Sequence, residues 1–393
     1  MLFLQIVFWV SVLLVFYSYL GYGMFLWLYL KITGRRAAAV PPVDVVFEPE
    51  VTLVVATYNE ELIIRKKIEN TLALDYPADK LRIIIIADGS SDDTANIISR
   101  YPRVQLLYQP GREGKVAAIN RAMPFVTTPY TIFCDANTML NKESIRELVK
   151  HYTDPSIGAV AGEKKVIDLS EEQNAAGAGE GLYWKYESLL KRLDAQFYTV
   201  VGAAGELFSI RTALFEPVGN DILLDDFIMS MKICKKGYRV MYEPKAYAAE
   251  APSMTMREER KRKVRISAGG FQSVLLLKDL LNIFKYGRLS FQYISHRVLR
   301  WIVCPVLLPV ILLSNIYLAA ATGSRLYDTL LVLQALFYAA ALLGWLFALK
   351  HVKSKIFYVP YYFVFMNISL YTGFSRFIHN TQTVLWDKAD RKV

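Results

Sequence analysis

Hydrophobic and polar positions along the 393-residue chain fall into three regimes. An uncharged apolar run fills Leu2 to Leu30. Strand-length apolar runs then alternate with helical stretches from Glu50 to Asp135, and long apolar segments return beyond Val298. In the middle regime Val51-Thr52-Leu53-Val54-Val55-Ala56, Leu81 to Ala87 and Val104 to Tyr108 read as buried strands, with helices at Glu60 to Leu74 and Asp93 to Ser99 between them. Near-continuous apolar strands in a βαβαβ order are the pattern of a parallel sheet covered on both faces. Lys115 to Met123 predicts a further helix and Tyr130 to Cys134 a further strand, which makes the fold class α/β.

The first run exceeds the roughly 20 residues that span a bilayer and carries Trp9, Tyr17, Tyr19, Tyr22 and Trp27 for the interfaces. It has no basic n-region, is too long for a signal peptide, and is followed by Lys31, Arg35 and Arg36, so a retained anchor is expected. Further spans are predicted at Val298 to Ala320, Thr329 to Leu349 and Ile356 to Phe374, and Phe271 to Lys285 reads as an interfacial helix. The chain therefore divides into an anchor (1–30), an α/β domain (45–265), interfacial helices (266–297), a C-terminal transmembrane region of about three segments (298–375) and a basic tail (376–393).

Composition agrees, since 54% hydrophobic against 21% charged residues is more apolar than a soluble protein requires. Positive residues after the first span place the α/β domain in the cytoplasm of a multi-pass protein of the cell membrane, and the basic stretch 350–355 fits the same side. Simple counting puts the tail outside, whereas Arg376, Lys388, Arg391 and Lys392 argue for inside; a broken or re-entrant hairpin around Pro360 reconciles the two. Three scattered cysteines and four histidines form no zinc or disulfide framework. The net charge of +10 gathers near the membrane and in Arg257 to Arg265, which suits lipid headgroups or an anionic substrate. No nucleic-acid-binding signature accompanies it, so nucleic acid is not an expected partner. The spans hold no Asp or Glu of the kind a coupled transporter needs.

Three polar clusters follow predicted strands: Thr57-Tyr58-Asn59-Glu60, Asp88-Gly89-Ser90 and Asp135-Ala136-Asn137. Open α/β sheets bind ligands at these carboxyl ends. A carboxylate at Asp135 can hold a divalent cation against a diphosphate, and the same triplet also suits a plain turn. Asn59 and Glu60 suit a helix start, Asp92 and Asp93 are expected to cap the next helix, and Asp88 fits a turn or a ligand equally well. Gly111-Arg112-Glu113-Gly114-Lys115 is not a Walker motif, because the glycine spacing is wrong and Val116 replaces the magnesium-binding hydroxyl.

Taken together with Asp225-Asp226 and the later basic run, these clusters resemble the membrane-integrated family-2 glycosyltransferases, the group of cellulose, chitin, hyaluronan and poly-N-acetylglucosamine synthases. The resemblance implies a GT-A fold, a nucleotide-sugar donor, usually UDP-linked, and a divalent metal, Mg or Mn. On the donor side it assigns Thr57, Tyr58 and Glu60 to the nucleotide loop, Asp88 to the uracil, Lys115 to the uridine, and Arg262 and Arg265 to the diphosphate. Asp135 and Asn137 stand for the metal-binding D-x-D, with asparagine in the third position. Asp226 corresponds to the catalytic base of the T-E-D motif, judged by its distance from Gly237-Tyr238-Arg239-Val240, although Asp225-Asp226 also fits a helix N-cap. Gly205, Glu206, Asp225 and Trp184 fall on the acceptor side.

The Q-x-x-R-W motif departs most: Arg262 replaces glutamine and Ile266 replaces the tryptophan that stacks on the acceptor in polymerising synthases. Trp184 and Trp301 can each offer another platform, with membrane-interface anchoring the favoured role for Trp301. The resemblance implies an inverting, metal-dependent transferase that forms a β-linkage to a polysaccharide or lipid-linked saccharide, with membrane lipid and synthase subunits as further partners. Single addition to a lipid-linked acceptor and a non-catalytic subunit are the alternatives.

Overall fold

A computed structural model describes residues 1–34, 47–166, 175–251, 255–350, 352 and 355–385, with the backbone alone for 175–183 and 355. Most of the basic loop at 351–354 and the tail beyond Leu385 lie outside the described residues.

The strands are β1 (Val51–Thr57), β2 (Leu81–Asp88), β3 (Gln105–Gln109), β4 (Tyr130–Asp135), β5 (Met139–Leu140), β6 (Ile157–Val166), β7 (Leu207–Arg211) and β8 (Arg239–Glu250). They form one sheet in the order β3-β2-β1-β4-β7-β6-β8-β5. β1 runs parallel to β2 and β4, and β2 to β3, as the apolar runs predict. Beyond β4 the sheet is mixed, because β7 lies antiparallel to both β4 and β6. Leu53, Val54, Val55 and Ile83 to Ile86 are buried, which is why these strands show no alternation. Register fixes the site: Thr57 faces Ala87 and Ala56 faces Asp135, so β1, β2 and β4 end level and deliver their polar clusters to one edge.

Helices α2 (Ile64–Leu72), α3 (Thr94–Ser99) and α4 (Lys115–Ala122) make the crossovers; α5 (Ser144–Val149), α6 (Ala175–Phe197) and α7 (Asp225–Lys235) complete the domain. Among the described residues three helices are long and apolar enough to cross a membrane: α1 (Leu2–Thr33), α9 (Arg288–Thr322) and α10 (Arg325–Leu349). At the end of this bundle remote from the sheet, Phe8, Ile311, Leu318, Ala319 and Tyr327 pack into a buried apolar cluster.

Two expectations are corrected between these regions. The basic run and the segment from Phe271 belong to one helix, α8 (Met256–Leu276), so the boundary at 265/266 falls inside it. The residues to Lys285 are a separate 3-10 turn (Lys278–Leu281) and a short helix (Ile283–Tyr286) rather than one interfacial helix. The fourth apolar segment is helix α11 (Lys355–Ile378), continuous through Pro360, and so is not a re-entrant hairpin. It packs along α8: a Cβ added at Gly373 would lie 2.5 Å from Ser267 Cβ, and Phe271 stands 4.9 Å from Phe374.

Candidate active site

A cavity of about 1570 Å³ opens where the strand ends meet α8 and the long apolar helices. Its walls include Tyr58, Glu60, Lys115, Asp135, Asn137, Trp184, Gly205, Glu206, Asp225, Asp226, Arg262 and Arg265, so most of the residues singled out from sequence share one space. Thr57 and Asp88 stand behind the wall. The Thr57 hydroxyl donates to the carbonyl of Ile86 (3.0 Å) and ties β1 to β2. Asp88 Oδ2 accepts from the backbone N–H groups of Glu113 (3.1 Å) and Gly114 (2.7 Å), and Arg121 donates to Oδ1 (2.8 Å). Asp88 thereby holds the 112–114 loop against β2, and the Arg112 guanidinium lies 3.7 Å from the Tyr58 ring. Gly89 at φ +69° makes that approach possible, since a Cβ there would come within 2.6 Å of the Arg112 nitrogen. Asp92 is the effective cap of α3, with Oδ1 accepting from Thr94 N (3.1 Å), whereas Asp93 makes no capping bond to the backbone.

Lys115 begins α4 and reaches Asp135 Oδ1 at 2.5 Å. Burial opposes its charge, yet Asp135, Asp225 and Asp226 together hold its pKa above the ordinary lysine value. The turn after Asp135 is pinned from beneath. The Thr138 hydroxyl donates to the Asp135 carbonyl (3.0 Å), and fully buried Lys67 donates to the Thr138 carbonyl (2.7 Å). Asp225 and Asp226 open α7 inside its first turn, with Leu224 as the cap residue, so the N-cap reading does not hold. Burial, then the neighbouring Asp225 charge, pushes Asp226 up to about 7 against the pull of Lys115. Gly205 lets the loop before β7 close over the pair: a Cβ there would lie 3.1 Å from Lys115 Nζ and 3.3 Å from Asp226 Oδ2. Burial lowers the Arg265 pKa, and Asp225, Asp226 and Asp135 partly restore it.

Glu206 sits deeper. Burial raises its pKa, but Lys164 at 2.8 Å outweighs that and holds it well below the usual carboxylate range. Lys164 also pairs with Glu250 and places its ammonium 5.0 Å from the Trp184 ring. Trp301 stands on the cavity wall, as the platform alternative expects: its indole lies 3.0 Å from a Cβ added at Gly270 and 5.3 Å from the Phe227 ring. An aromatic from α9 thus covers α8 one turn beyond Ile266, near where the motif tryptophan is missing. A buried ionic cluster below it locks α1, α6 and α9 together: Tyr22 donates to Asp194 (2.5 Å), His296 contacts Asp194 (2.6 Å) and Glu187 (3.3 Å), and Arg297 reaches Glu187 (2.6 Å).

Asp135 and Asn137 line the cavity side by side after β4, and no group of three His, Cys, Asp or Glu side chains able to hold an ion by itself occurs among the described residues. That donor set fits a divalent cation that takes its remaining oxygens from a bound diphosphate and water.

Fold and site together define a GT-A-type domain mounted on apolar helices. Over residues 52–219 the chain matches the model of glycosyl transferase family 2 and carries a domain of that family. The match ends before Asp225, so the acidic pair and α8 lie beyond it. The chain is 30% identical to a poly-beta-1,6-N-acetyl-D-glucosamine synthase of Staphylococcus aureus over 251 residues, which is 61% of this chain and 58% of the synthase. The Staphylococcus epidermidis synthase is 26% identical over 247 residues, with the same coverage. The chain thus matches less than two thirds of the length of either relative. In three dimensions it resembles a mannosyltransferase from Pyrobaculum calidifontis in complex with GDP-Man and Mn2+, with a TM-score of 0.71 and 22% identity over 96% of this chain and 100% of the other.

Proposed function

We propose that the chain is an inverting, metal-dependent glycosyltransferase that moves a sugar from a nucleotide sugar, UDP-linked by the family resemblance, to a saccharide or lipid-linked acceptor at the cytoplasmic membrane face. The observation that supports this is the convergence of Lys115, Asp135 and Asp226 beneath Gly205. Asp226 takes the proton of the acceptor hydroxyl as its oxygen attacks the anomeric carbon. The bond from that carbon to the diphosphate breaks with its electron pair, and Lys115 and Arg265 offset the charge that leaves. A divalent metal held by Asp135 and Asn137 supplies Lewis-acid stabilisation of the same diphosphate. With Asp226 acting as base on the acceptor, the reaction is a single displacement, so an α-linked donor yields a β-linkage.

The purified protein in nanodiscs, offered a panel of radiolabelled nucleotide sugars including UDP-N-acetylglucosamine and GDP-mannose with Mg or Mn, should release nucleotide and build one labelled product. Tight nucleotide binding without release from any donor would favour the non-catalytic reading. A second expectation concerns pH. Asp226 is pushed up to about 7 and must be ionised to act, so kcat/KM should rise through neutrality and level off above it. A profile flat from roughly pH 5.5 to 8.5 would assign proton removal to another group.

A further inference from the structure

We infer that the acceptor is an anionic lipid: its phosphate pairs with Lys191, its hydroxyl-bearing head reaches Asp226, and its hydrocarbon leaves the cavity sideways between α1 and α11. This rests on the transferase reading above and names the acceptor class for the same site.

Lys191 carries the first part. It lies on α6, is only 2% exposed and lines the cavity, yet its ammonium makes no hydrogen bond among the described residues. Its ammonium lies 5.4 Å from the Trp184 ring and 5.9 Å from the Tyr242 ring. Neighbouring buried cations are paired, Lys164 with Glu206 and Glu250, Arg297 and Arg300 with Glu187. A buried charge with no counter-ion is costly, and an anion arriving from outside removes that cost. From Lys191 the wall runs through Trp184, Lys164 and Glu206 to the charge field of Asp226, so a bound anion and the base share one continuous surface.

The shape of the cavity carries the second part. Leu20 on α1 and Val359 on α11 both line it and are 54% and 51% exposed, which puts an apolar, accessible rim of the cavity at these two helices and the lateral exit between them. The gap is bridged at one level, where Tyr19 meets Phe363 at 5.0 Å and donates to Asn367 (3.3 Å). α1 is long and apolar enough to cross a membrane, so an opening on its flank faces hydrocarbon. A polysaccharide threading outward needs a polar path along the bundle. The remote end is instead filled by Phe8, Ile311, Leu318, Ala319 and Tyr327, none of which lines the cavity.

The probe is phosphatidylglycerol with a photoactivatable diazirine high on one acyl chain, in phosphatidylcholine nanodiscs holding the full chain. Diacylglycerol with the same tail is the neutral control. Crosslinks mapped by mass spectrometry should concentrate at residues 19–20 and 358–366, about tenfold above the control, as one charge-assisted contact predicts. Lys191→Met should bring labelling down to the control level, Lys191→Arg should keep it, and Val359→Trp, which leaves the buried charge alone, should block the gap. Equal labelling by both probes, or labelling untouched by Lys191→Met and Val359→Trp, overturns the inference. Occupancy of the site by inorganic phosphate with no lipid labelling in the gap assigns it to a soluble anion and also overturns it. UDP binding on the same nanodiscs separates the two readings: intact binding without lipid labelling sinks the lipid acceptor alone, whereas nanodiscs that bind no nucleotide sugar at all sink the transferase reading.

Discussion

Asp226→Asn should lower turnover by about 10²–10⁴-fold, the usual contribution of a positioned general base, and leave nucleotide affinity nearly unchanged. The amide has the same shape and sits in the same first turn of α7, but it cannot take a proton. Donor binding is buffered against the change because Lys115 keeps its 2.5 Å contact with Asp135 and its attraction to Asp225. Removal of the base should also erase the rise in kcat/KM near neutrality, a readout that general misfolding would not imitate. Nucleotide release and UDP binding by calorimetry, measured on the same preparation, decide it: wild-type turnover in the variant takes Asp226 out of the base role.

Asp135→Ala should abolish the metal dependence of donor binding. The wild-type protein should bind UDP more tightly with Mg or Mn than with chelator, whereas the variant should bind equally weakly in both. Metal stabilisation of a departing diphosphate is worth several kcal/mol, so turnover should fall by about 10³-fold. Asn137→Ala removes a neutral oxygen ligand only and should do less. A wild-type metal titration in Asp135→Ala would place the cation elsewhere in the cavity.

Asp135 was legible because it closes a strand whose apolar run is plain, and Asp226 through the family resemblance, by its spacing from Gly237-Tyr238-Arg239-Val240. The level ends of β1, β2 and β4 follow from the same apolar runs. Other parts were not legible for physical reasons. Lys67 sits in Arg65-Lys66-Lys67 and reads as a solvated helix face, yet it is fully buried, its ammonium donating a hydrogen bond to the carbonyl of Thr138 far along the chain. Lys164 beside Lys165 suggests an edge strand, whereas β6 is internal and Glu206 and Glu250 neutralise the charge. Trp301 followed Arg300 in an apolar segment and resembled an interface anchor. Only the crossing of α9 over Gly270 puts its ring in the cavity. The antiparallel β7 is short and flanked by small residues, so its direction depends on pairing with β4 rather than on local pattern. The fourth apolar segment met every length criterion, yet glycine at 373 brings it against α8.

The closed apolar end of the bundle, where Phe8 meets Leu318 and Tyr327, bears on the fate of the product. On the lipid-acceptor reading, a product that does not pass this packed cluster of described residues stays in the leaflet where it was made. Secretion is then a separate task for a separate carrier, and synthesis and export can be regulated independently of each other.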